Sequence, residues 1–227
     1  LLEGSSKTLG TMSDKSAEQS RKYLTKLGVV VKTNALVQDY DGMDVILKTG
    51  EKIPAATVIW AAGIKGNIPN GIDKSLIARG NRIKVDRYCK VIGQKNIFAI
   101  GDIAYMETEL YPNGHPQVAS VAIQQADLLF DYLRRMERRS TRFYEFEYQD
   151  KGSMATVGRN LAVVDIPKPK LHFGGFFAWL IWMGLHLFLI LGVKNKVFVF
   201  LNWIVSYITY DQTLRLIFPA FYKERRS

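Results

Sequence analysis

A short apolar run that ends in glycine and aspartate lies near the middle of the chain: Asn96-Ile97-Phe98-Ala99-Ile100-Gly101-Asp102. Such a run predicts a strand buried in a parallel sheet, with Gly101 and Asp102 at its carboxyl end. In open α/β sheets that end faces the crevice where ligands bind, and a carboxylate there accepts hydrogen bonds from ligand hydroxyl groups. The glycine lets the backbone approach the ligand closely. We therefore predict a ligand site at these two residues; a plain strand-to-turn signal is the alternative.

A second apolar run, Thr57–Ala61, leads into Ala62 and Gly63 and predicts another buried strand. The small residues Ala61, Ala62 and Gly63 permit close approach of a flat cofactor or of another domain. A closely packed strand end is an equally valid interpretation of the same residues.

The remaining pattern predicts a mixture of helices and strands, which indicates α/β architecture. Ser13 predicts the N-cap of a helix that ends near Leu27. A hairpin turn is expected at Thr49-Gly50, and another strand connection at Lys151-Gly152. Further strands are predicted at Val29–Leu36, Asp44–Lys48, Glu51–Ile53, Ile83–Asp86, Phe143–Tyr148 and Met154–Ile166.

A long helix is predicted from Gln117 to about Arg139, with Pro116 directly before it. The N-terminus of a helix carries about half a positive charge, which suits an anion developing on a ligand ring. The small side chains of Ala119 and Ser120 leave room for such a ligand, and Gln124 and Gln125 can donate hydrogen bonds to carbonyl oxygens. An ordinary helix start has the same sequence features.

The composition excludes several classes of protein. With 227 residues, 48% hydrophobic and 23% charged, the chain is long enough for a sizeable core and is not a disordered tail, a collagen or a disulfide mini-protein. The single cysteine, Cys89, excludes an internal disulfide and a cysteine-only metal site. His115 and His186 have no ligand-type neighbours at metal spacing, so we predict no metal site.

The first residues predict that a longer protein extends upstream. Leu1-Leu2-Glu3-Gly4 has no initiator methionine and resembles the end of a buried strand that enters a loop. A Gly-rich phosphate loop would then lie before this point. Glu3, as an acid at a strand end, is a candidate to read a ribose hydroxyl.

The C-terminal region combines basic, aromatic and apolar residues, which favours a lipid interface over nucleic acid. Six of the ten net positive charges and three of the four tryptophans lie from Lys168 onward. Gly174–Gly192 holds 19 residues without a formal charge; as one helix it would be about 28 Å long, close to the hydrocarbon thickness of a bilayer. A second helix is predicted to carry two neighbouring stripes, a polar one of Asn202, Ser206, Thr209 and Thr213 and an aromatic one of Trp203, Tyr207, Tyr210 and Leu214.

We therefore predict that residues 168–227 associate with a membrane. A monotopic arrangement keeps all basic residues at one surface, and we favour it over a transmembrane hairpin. A soluble helical dimerisation module is the third interpretation. No nucleic-acid partner is expected, and a homodimer is left open.

Five segments of the chain resemble the C-terminal half of the type II NADH:quinone oxidoreductases, which are single-subunit respiratory flavoproteins. Four of them are Val58-Ile59-Trp60-Ala61-Ala62-Gly63, the run at 96–102, the residues from Ala119 to Gln125, and Gly152-Ser153-Met154-Ala155-Thr156-Val157-Gly158-Arg159-Asn160. The fifth is Asn202-Trp203 with Ser206-Tyr207 and Thr209-Tyr210.

The resemblance implies hydride transfer from NADH to FAD and then reduction of a membrane quinone, without a nucleophilic side chain. It implies that FAD lies against Gly101, Asp102, Val118, Ala119 and Ser120, with Asp102 bound to the ribityl chain. It places NADH near Glu3, Ala61, Ala62 and Gly63, and the quinone near Gln124 and Gln125. One position departs from the family pattern Ala-Gln-x-Ala-x-Gln-Gln, since Ser120 stands where the first glutamine is expected.

The implied fold is the C-terminal portion of an α/β flavoprotein with two dinucleotide-binding (Rossmann-like) domains. We expect residues 1–63 to complete the NADH-binding domain and residues 64–139 the FAD-binding domain. Residues 140–167 are expected to form a β hairpin, followed by the membrane-associating helices.

Two alternative functions fit parts of the sequence. A sulfide:quinone oxidoreductase shares the architecture, but it works through a pair of redox cysteines and this chain has Cys89 alone. A non-enzymatic membrane-tethering module would bind no flavin. The expected location is the cytoplasmic face of the cell membrane.

Overall fold

The computed structural model describes residues 1–210. The chain divides into two compact units. One unit comprises Leu1–Val37 together with the described residues from Ser153 onward, and the other comprises Gln38–Gly152. Each is built around its own small sheets.

The unit of residues 38–152 contains two three-stranded sheets and one long helix. Strands β1 (Val37–Tyr40), β2 (Asp44–Leu47) and β3 (Lys52–Pro54) form the first sheet in that order. The predicted hairpin between β2 and β3 is confirmed, since Val45 pairs with Ile53 and the turn contains Gly50 at a positive φ of 86°.

The second sheet of this unit consists of β4 (Ile77–Ala78), β5 (Arg82–Lys84) and β6 (Ala104–Tyr105), with β5 and β6 parallel. Short 3-10 turns cover Lys74–Leu76 and Gly101–Ile103. The long helix α2 (Ala119–Glu137) confirms the predicted helix after Pro116. The apolar core joins β5, β6 and α2 through Ile83, Val85, Cys89, Val91, Ala99, Ala104, Met106, Val121 and Phe146.

The other unit packs three helices and an antiparallel sheet. Helix α1 (Asp14–Lys26) is capped by Ser13, whose hydroxyl accepts from the backbone N–H of Ser16, as predicted. The sheet contains β7 (Ser153–Gly158), β8 (Leu161–Ile166) and β9 (Leu171–Gly174). Helices α3 (Gly175–Leu189) and α4 (Val193–Thr209) follow.

Helices α3 and α4 leave a broad apolar face in contact with solvent, which we call the α3–α4 apolar face. Trp182 stacks on Trp203, and Trp179 lies against Tyr207, so the aromatic stripe of α4 packs against α3. The outward side chains include Phe177, Phe188, Val197, Phe198, Leu201, Val205 and Ile208. No helix within residues 1–210 is both long and apolar enough to cross a lipid bilayer.

The uncharged segment Gly174–Gly192 is not the single 19-residue helix that we predicted. Helix α3 ends at Leu189, which makes it about 22 Å long, and the chain turns before α4. Gly192 has a φ of 83° and precedes the first residue of α4, so a backbone conformation suited to glycine interrupts the helix. Thr213 and Leu214, the last members of the two predicted stripes, lie outside the described residues.

Several predicted strands are absent from the described structure. The segment at 29–36 forms only a single bridge, between Lys32 and Leu2, because Asn34 adopts a left-handed conformation that turns the chain. No described strand lies beside residues 57–61, and Ile59 and Trp60 are 88% and 69% exposed. The side chains of Ile59 and Trp60 are therefore largely exposed to solvent and do not pack in a sheet.

Two further segments differ from the predicted strands. The run at 96–100 forms one bridge, from Phe98 to Lys90, and then enters the 3-10 turn. The segment at 143–148 is extended without a strand partner, and the backbone N–H of Phe146 donates to Arg87 O. The segment Met154–Ile166 was predicted as one strand and instead forms β7 and β8, because Asn160 takes a positive φ of 62° and turns the chain between them. The predicted connection at Lys151-Gly152 therefore precedes β7 and does not join two described strands.

Candidate functional site

The Gly101–Asp102 turn is fixed to the N-terminal half of helix α2. The backbone N–H of Gly101 donates a 2.7 Å hydrogen bond to Gln125 Oε1, and Gln117 Nε2 donates a 2.8 Å bond to the backbone oxygen of Asp102. Gly101 has a φ of 68°, and a Cβ atom at this position would lie 3.2 Å from the Cβ of Ala122. Glycine is therefore required both by conformation and by the close approach of the helix.

The Asp102 carboxylate is exposed and forms no hydrogen bond or ion pair with the described residues. Beside it, helix α2 begins at Ala119, and its N-cap residue Val118 provides no side-chain hydrogen bond. The structure thus places a carboxylate that forms no hydrogen bond close to a helix N-terminus without a side-chain cap. A hydroxylated, partly anionic ligand matches this pair of features.

The segment at 61–63 borders a cavity that Gln117 also lines. Ala62 and Gly63 line a cavity of about 540 Å³ together with Gln117, the residue that holds the Asp102 backbone. Ala61 is exposed. Lys65, Arg79 and Arg82 also line the cavity and give it a positive lining that suits an anionic ligand.

Arg82 organises this region, although the sequence analysis did not single it out. Its guanidinium is buried, donates to the backbone oxygens of Ala104 and His115, and lies 5.2 Å from the ring centre of Tyr105. These bonds join β5, β6 and the segment before α2. The sequence offers little signal for this residue, since β5 reads Arg82-Ile83-Lys84; it is the burial of Arg82 in the fold that makes its charge costly unless it is bonded.

Gln125 and Gln124 are both engaged within the protein. Gln125 is fully buried and holds Gly101, as described above. Gln124 Nε2 donates to the backbone oxygen of Gln149, and Gln149 N donates to Gln124 Oε1. Their predicted place beside a quinone stays a prediction.

Glu3 belongs to the other unit, where it closes a turn. Its carboxylate accepts hydrogen bonds of 2.8 Å from both the backbone N–H and the hydroxyl of Ser5. Its backbone pairs with Lys32 and Ala35. The ribose contact proposed for Glu3 is not tested by this geometry.

Cys89 is completely buried in the core of its unit, which decides its chemistry. Burial raises the pKa of its thiol to about 12. Because the thiolate is the reactive form of cysteine, this residue is unsuited to attack on a sulfur substrate.

Comparison with known proteins identifies relatives over most of the chain. A family model described as pyridine nucleotide-disulphide oxidoreductase matches residues 1–126, and one described as NDH2 C-terminal domain matches residues 151–209. The type II NADH:quinone oxidoreductase NdhA of Mycobacterium tuberculosis is 33% identical over 219 residues, which cover 91% of this chain and 45% of the relative. The chain therefore spans less than half the length of this curated relative.

Two solved structures share the fold. NDH2 from Plasmodium falciparum, solved in complex with NADH, has a TM-score of 0.77 at 19% identity and covers 91% of this chain and 57% of its own. The sulfide:quinone oxidoreductase of Aquifex aeolicus has a TM-score of 0.65 at 16% identity and covers 93% of this chain and 54% of its own. These likenesses confirm the predicted α/β flavoprotein fold class.

Proposed function

The chain belongs to the pyridine nucleotide-disulphide oxidoreductase family and carries an NDH2 C-terminal domain, and on this basis we propose that the whole protein is a type II NADH:quinone oxidoreductase that binds FAD. NADH supplies a hydride, and a quinone accepts its two electrons and becomes a hydroquinone. The observation that carries the proposal is that the Asp102 carboxylate, which forms no hydrogen bond with the described residues, lies close to the uncapped start of α2.

The residues at this turn fit FAD. Asp102 would accept hydrogen bonds from the ribityl hydroxyls, and Gly101 allows the backbone to lie against that chain. The N–H groups of Ala119 and Ser120 would stabilise negative charge on the flavin pyrimidine edge, next to Val118, whose own N–H donates to Pro116 O. Bound flavin supplies the hydride and electron transfer, and these residues supply position and electrostatics.

The cavity beside Gln117 supports a place for NADH near the flavin. Ala62 and Gly63 present little side chain to it, and its cationic lining favours a ligand with phosphate groups. We place the nicotinamide near Ala61–Gly63, and Glu3 at the ribose. We also propose the domain boundaries expected from the sequence: the NADH-binding part ends at residue 63, the FAD-binding part at residue 139, and the β hairpin region at residue 167.

The C-terminal helices support contact with a membrane that holds the quinone. The α3–α4 apolar face exposes side chains that are costly to leave in water and that match a lipid surface. Lys194 and Lys196 lie at the start of α4, and Arg159 stacks between Tyr207 and Tyr210 at its end. Basic and aromatic residues at both ends favour a helix that lies in the plane of the headgroups.

We therefore propose a peripheral protein on the cytoplasmic face of the cell membrane, with Gln124 and Gln125 near the quinone. Sulfide:quinone oxidoreduction is the less supported alternative, because Cys89 is buried, protonated and alone in the chain.

The test is made on the full-length protein. We expect it to be yellow when purified, to oxidise NADH, and to need added quinone for turnover. The same assay with sulfide in place of NADH tests the sulfide:quinone oxidoreductase alternative. Colourless protein that leaves NADH unchanged contradicts the proposal, and sulfide-dependent quinone reduction supports the alternative instead.

A further inference from the structure

His115 is a buried titratable residue that the proposed flavin and nicotinamide sites do not use. Its side chain is 2% exposed, and Nδ1 lies 3.0 Å from the backbone oxygen of Met106. Because a carbonyl oxygen only accepts, Nδ1 carries the hydrogen and Nε2 of the neutral ring keeps its lone pair. No residue within 1–210 is hydrogen-bonded to Nε2.

A separate cavity of about 450 Å³ lies next to this histidine. His115 forms part of its lining, together with Tyr111, Phe146 and Tyr148. The ring of Tyr111 packs 4.7 Å from the imidazole centre, and Tyr148 meets the imidazole edge-to-face at 6.1 Å. The unpartnered imidazole nitrogen therefore belongs to a residue that borders an aromatic-walled cavity.

Tyr148 connects this cavity to the start of helix α2. Its hydroxyl lies 2.8 Å from the hydroxyl of Ser120, the second residue of the helix. The two hydrogen bonds between Gln124 and the backbone of Gln149 hold the neighbouring residue of the tyrosine to the same helix. The phenol is thus fixed on both sides.

We propose that His115, Tyr148 and Ser120 form a proton path from the cavity to the α2 start; this inference rests on the proposed function. Reduction of a quinone by NADH consumes one proton beyond the hydride. His115 Nε2 first takes this proton from solvent, and the imidazolium then gives it across the cavity to the Tyr148 hydroxyl. The proton of Tyr148 passes to Ser120, and the Ser120 proton passes to the quinone oxygen. Both hydroxyls end unchanged, and the imidazole returns to its neutral form.

The charges around His115 set the pH range of this path. Burial lowers the pKa of the imidazole, and the nearby guanidiniums of Arg82 and Arg87 lower it further. Burial also raises the pKa of Tyr111, which therefore stays protonated at neutral pH. The groups that face His115 or its cavity are Arg82, Arg87, Glu109, Tyr111, Glu147 and Tyr148.

The first arm of the test compares two electron acceptors on the full-length holoenzyme. Quinone needs protons, whereas ferricyanide takes electrons alone. Tyr148→Phe keeps the ring that packs on His115 but removes the hydroxyl, and we expect the ratio of quinone to ferricyanide turnover to fall about 100-fold. Tyr88→Phe is the matched control, since Tyr88 packs on Tyr132 outside this cavity.

His115→Asn preserves a donor to Met106 O and removes the ionisable nitrogen. In the wild type the ratio is expected to decline as the pH rises above the His115 pKa, and the variant is expected to lose that dependence. If His115→Asn does not fold, the Tyr148→Phe ratio decides this arm. An unchanged ratio in Tyr148→Phe overturns the path.

The second arm does not depend on activity. In the full-length protein labelled with ¹³C-histidine, the His115 signal is expected to titrate with a midpoint below about 6.5. A His115 signal that stays constant from about pH 4 to about 9 overturns the proposal. Wild-type protein that reduces neither acceptor overturns the proposed function and the path with it, whereas an active wild type with an unchanged Tyr148→Phe ratio overturns the path alone.

Discussion

The backbone N–H of Gly101 donates to the side-chain oxygen of Gln125, 24 positions further along the chain. This bond attaches the turn that contains Asp102 to the first turns of α2. The carboxylate is therefore placed by the helix before any ligand arrives, which reduces the entropic cost of binding.

Loss of this bond should destabilise the protein. In Gln125→Leu the partly buried N–H of Gly101 loses its acceptor, which costs about 1 kcal/mol or more. Chemical denaturation of the full-length protein measures the change. Gln94→Leu, at an exposed position, serves as the control, and equal stability of the two variants contradicts the role of Gln125.

Removal of the Asp102 carboxylate should lower FAD occupancy without loss of stability. The Asp102 carboxylate is exposed and forms no hydrogen bond or ion pair with the described residues, and the substitution keeps the backbone oxygen that Gln117 binds. Asp102→Ala is therefore expected to change the free energy of unfolding by less than about 0.5 kcal/mol. The flavin absorbance per mole of protein reports occupancy. Asp127→Ala, at an exposed acid on α2, is the control, and undiminished absorbance in Asp102→Ala argues against the assignment.

Charges placed on the α3–α4 apolar face should weaken binding to lipid. Leu201 and Ile208 are 54% and 71% exposed, so Leu201→Glu with Ile208→Glu leaves the fold intact and lowers vesicle partitioning by at least about tenfold. Co-sedimentation with vesicles that contain anionic lipid measures this. Met43→Glu, at an exposed apolar position in the other unit, is the control. Undiminished sedimentation of the double variant counts against the membrane surface.

Asp165 should make stability depend on acid pH. Its carboxylate accepts from the backbone and hydroxyl of Ser13, and it pairs with His172; although burial opposes ionisation, these bonds lower its pKa. A carboxyl group whose pKa is lower in the folded protein stabilises that state above the unfolded pKa of about 3.9, and the gain is lost as pH falls through the folded value.

Asp165→Asn should therefore reduce stability at pH 7 and flatten the loss of stability below about pH 4. Urea unfolding of the full-length protein over this range measures both effects. Asp127→Asn is expected to leave the profile unchanged. A variant that matches the wild type at pH 7 shows that the Asp165 bonds do not contribute.

Local signals predicted the helices more accurately than the strands. The cap at Ser13 and the proline before α2 act within a few residues, so both helices were placed to within a few positions. The runs at 57–61 and 96–100 depend on neighbouring strands that are distant in sequence, and apolar character alone does not identify those partners.

The candidate site was predicted in part for the same reason. Asp102 and the start of α2 were named from their sequence patterns, and the structure places them together. The bonds that hold them, from Gln117, Gln125 and Arg82, join residues from separate elements and follow from the tertiary fold. The break at Gly192 was missed because a glycine inside an apolar run is also compatible with a continuous helix.

The position of Cys89 makes it a natural reporter of breathing in its unit. Because the thiol is sealed in the core, a maleimide or aromatic disulfide can react only when the surrounding side chains separate. The labelling rate of this thiol would then measure how often such openings occur. A ligand that stabilises the folded unit would slow the labelling, and no engineered probe is needed.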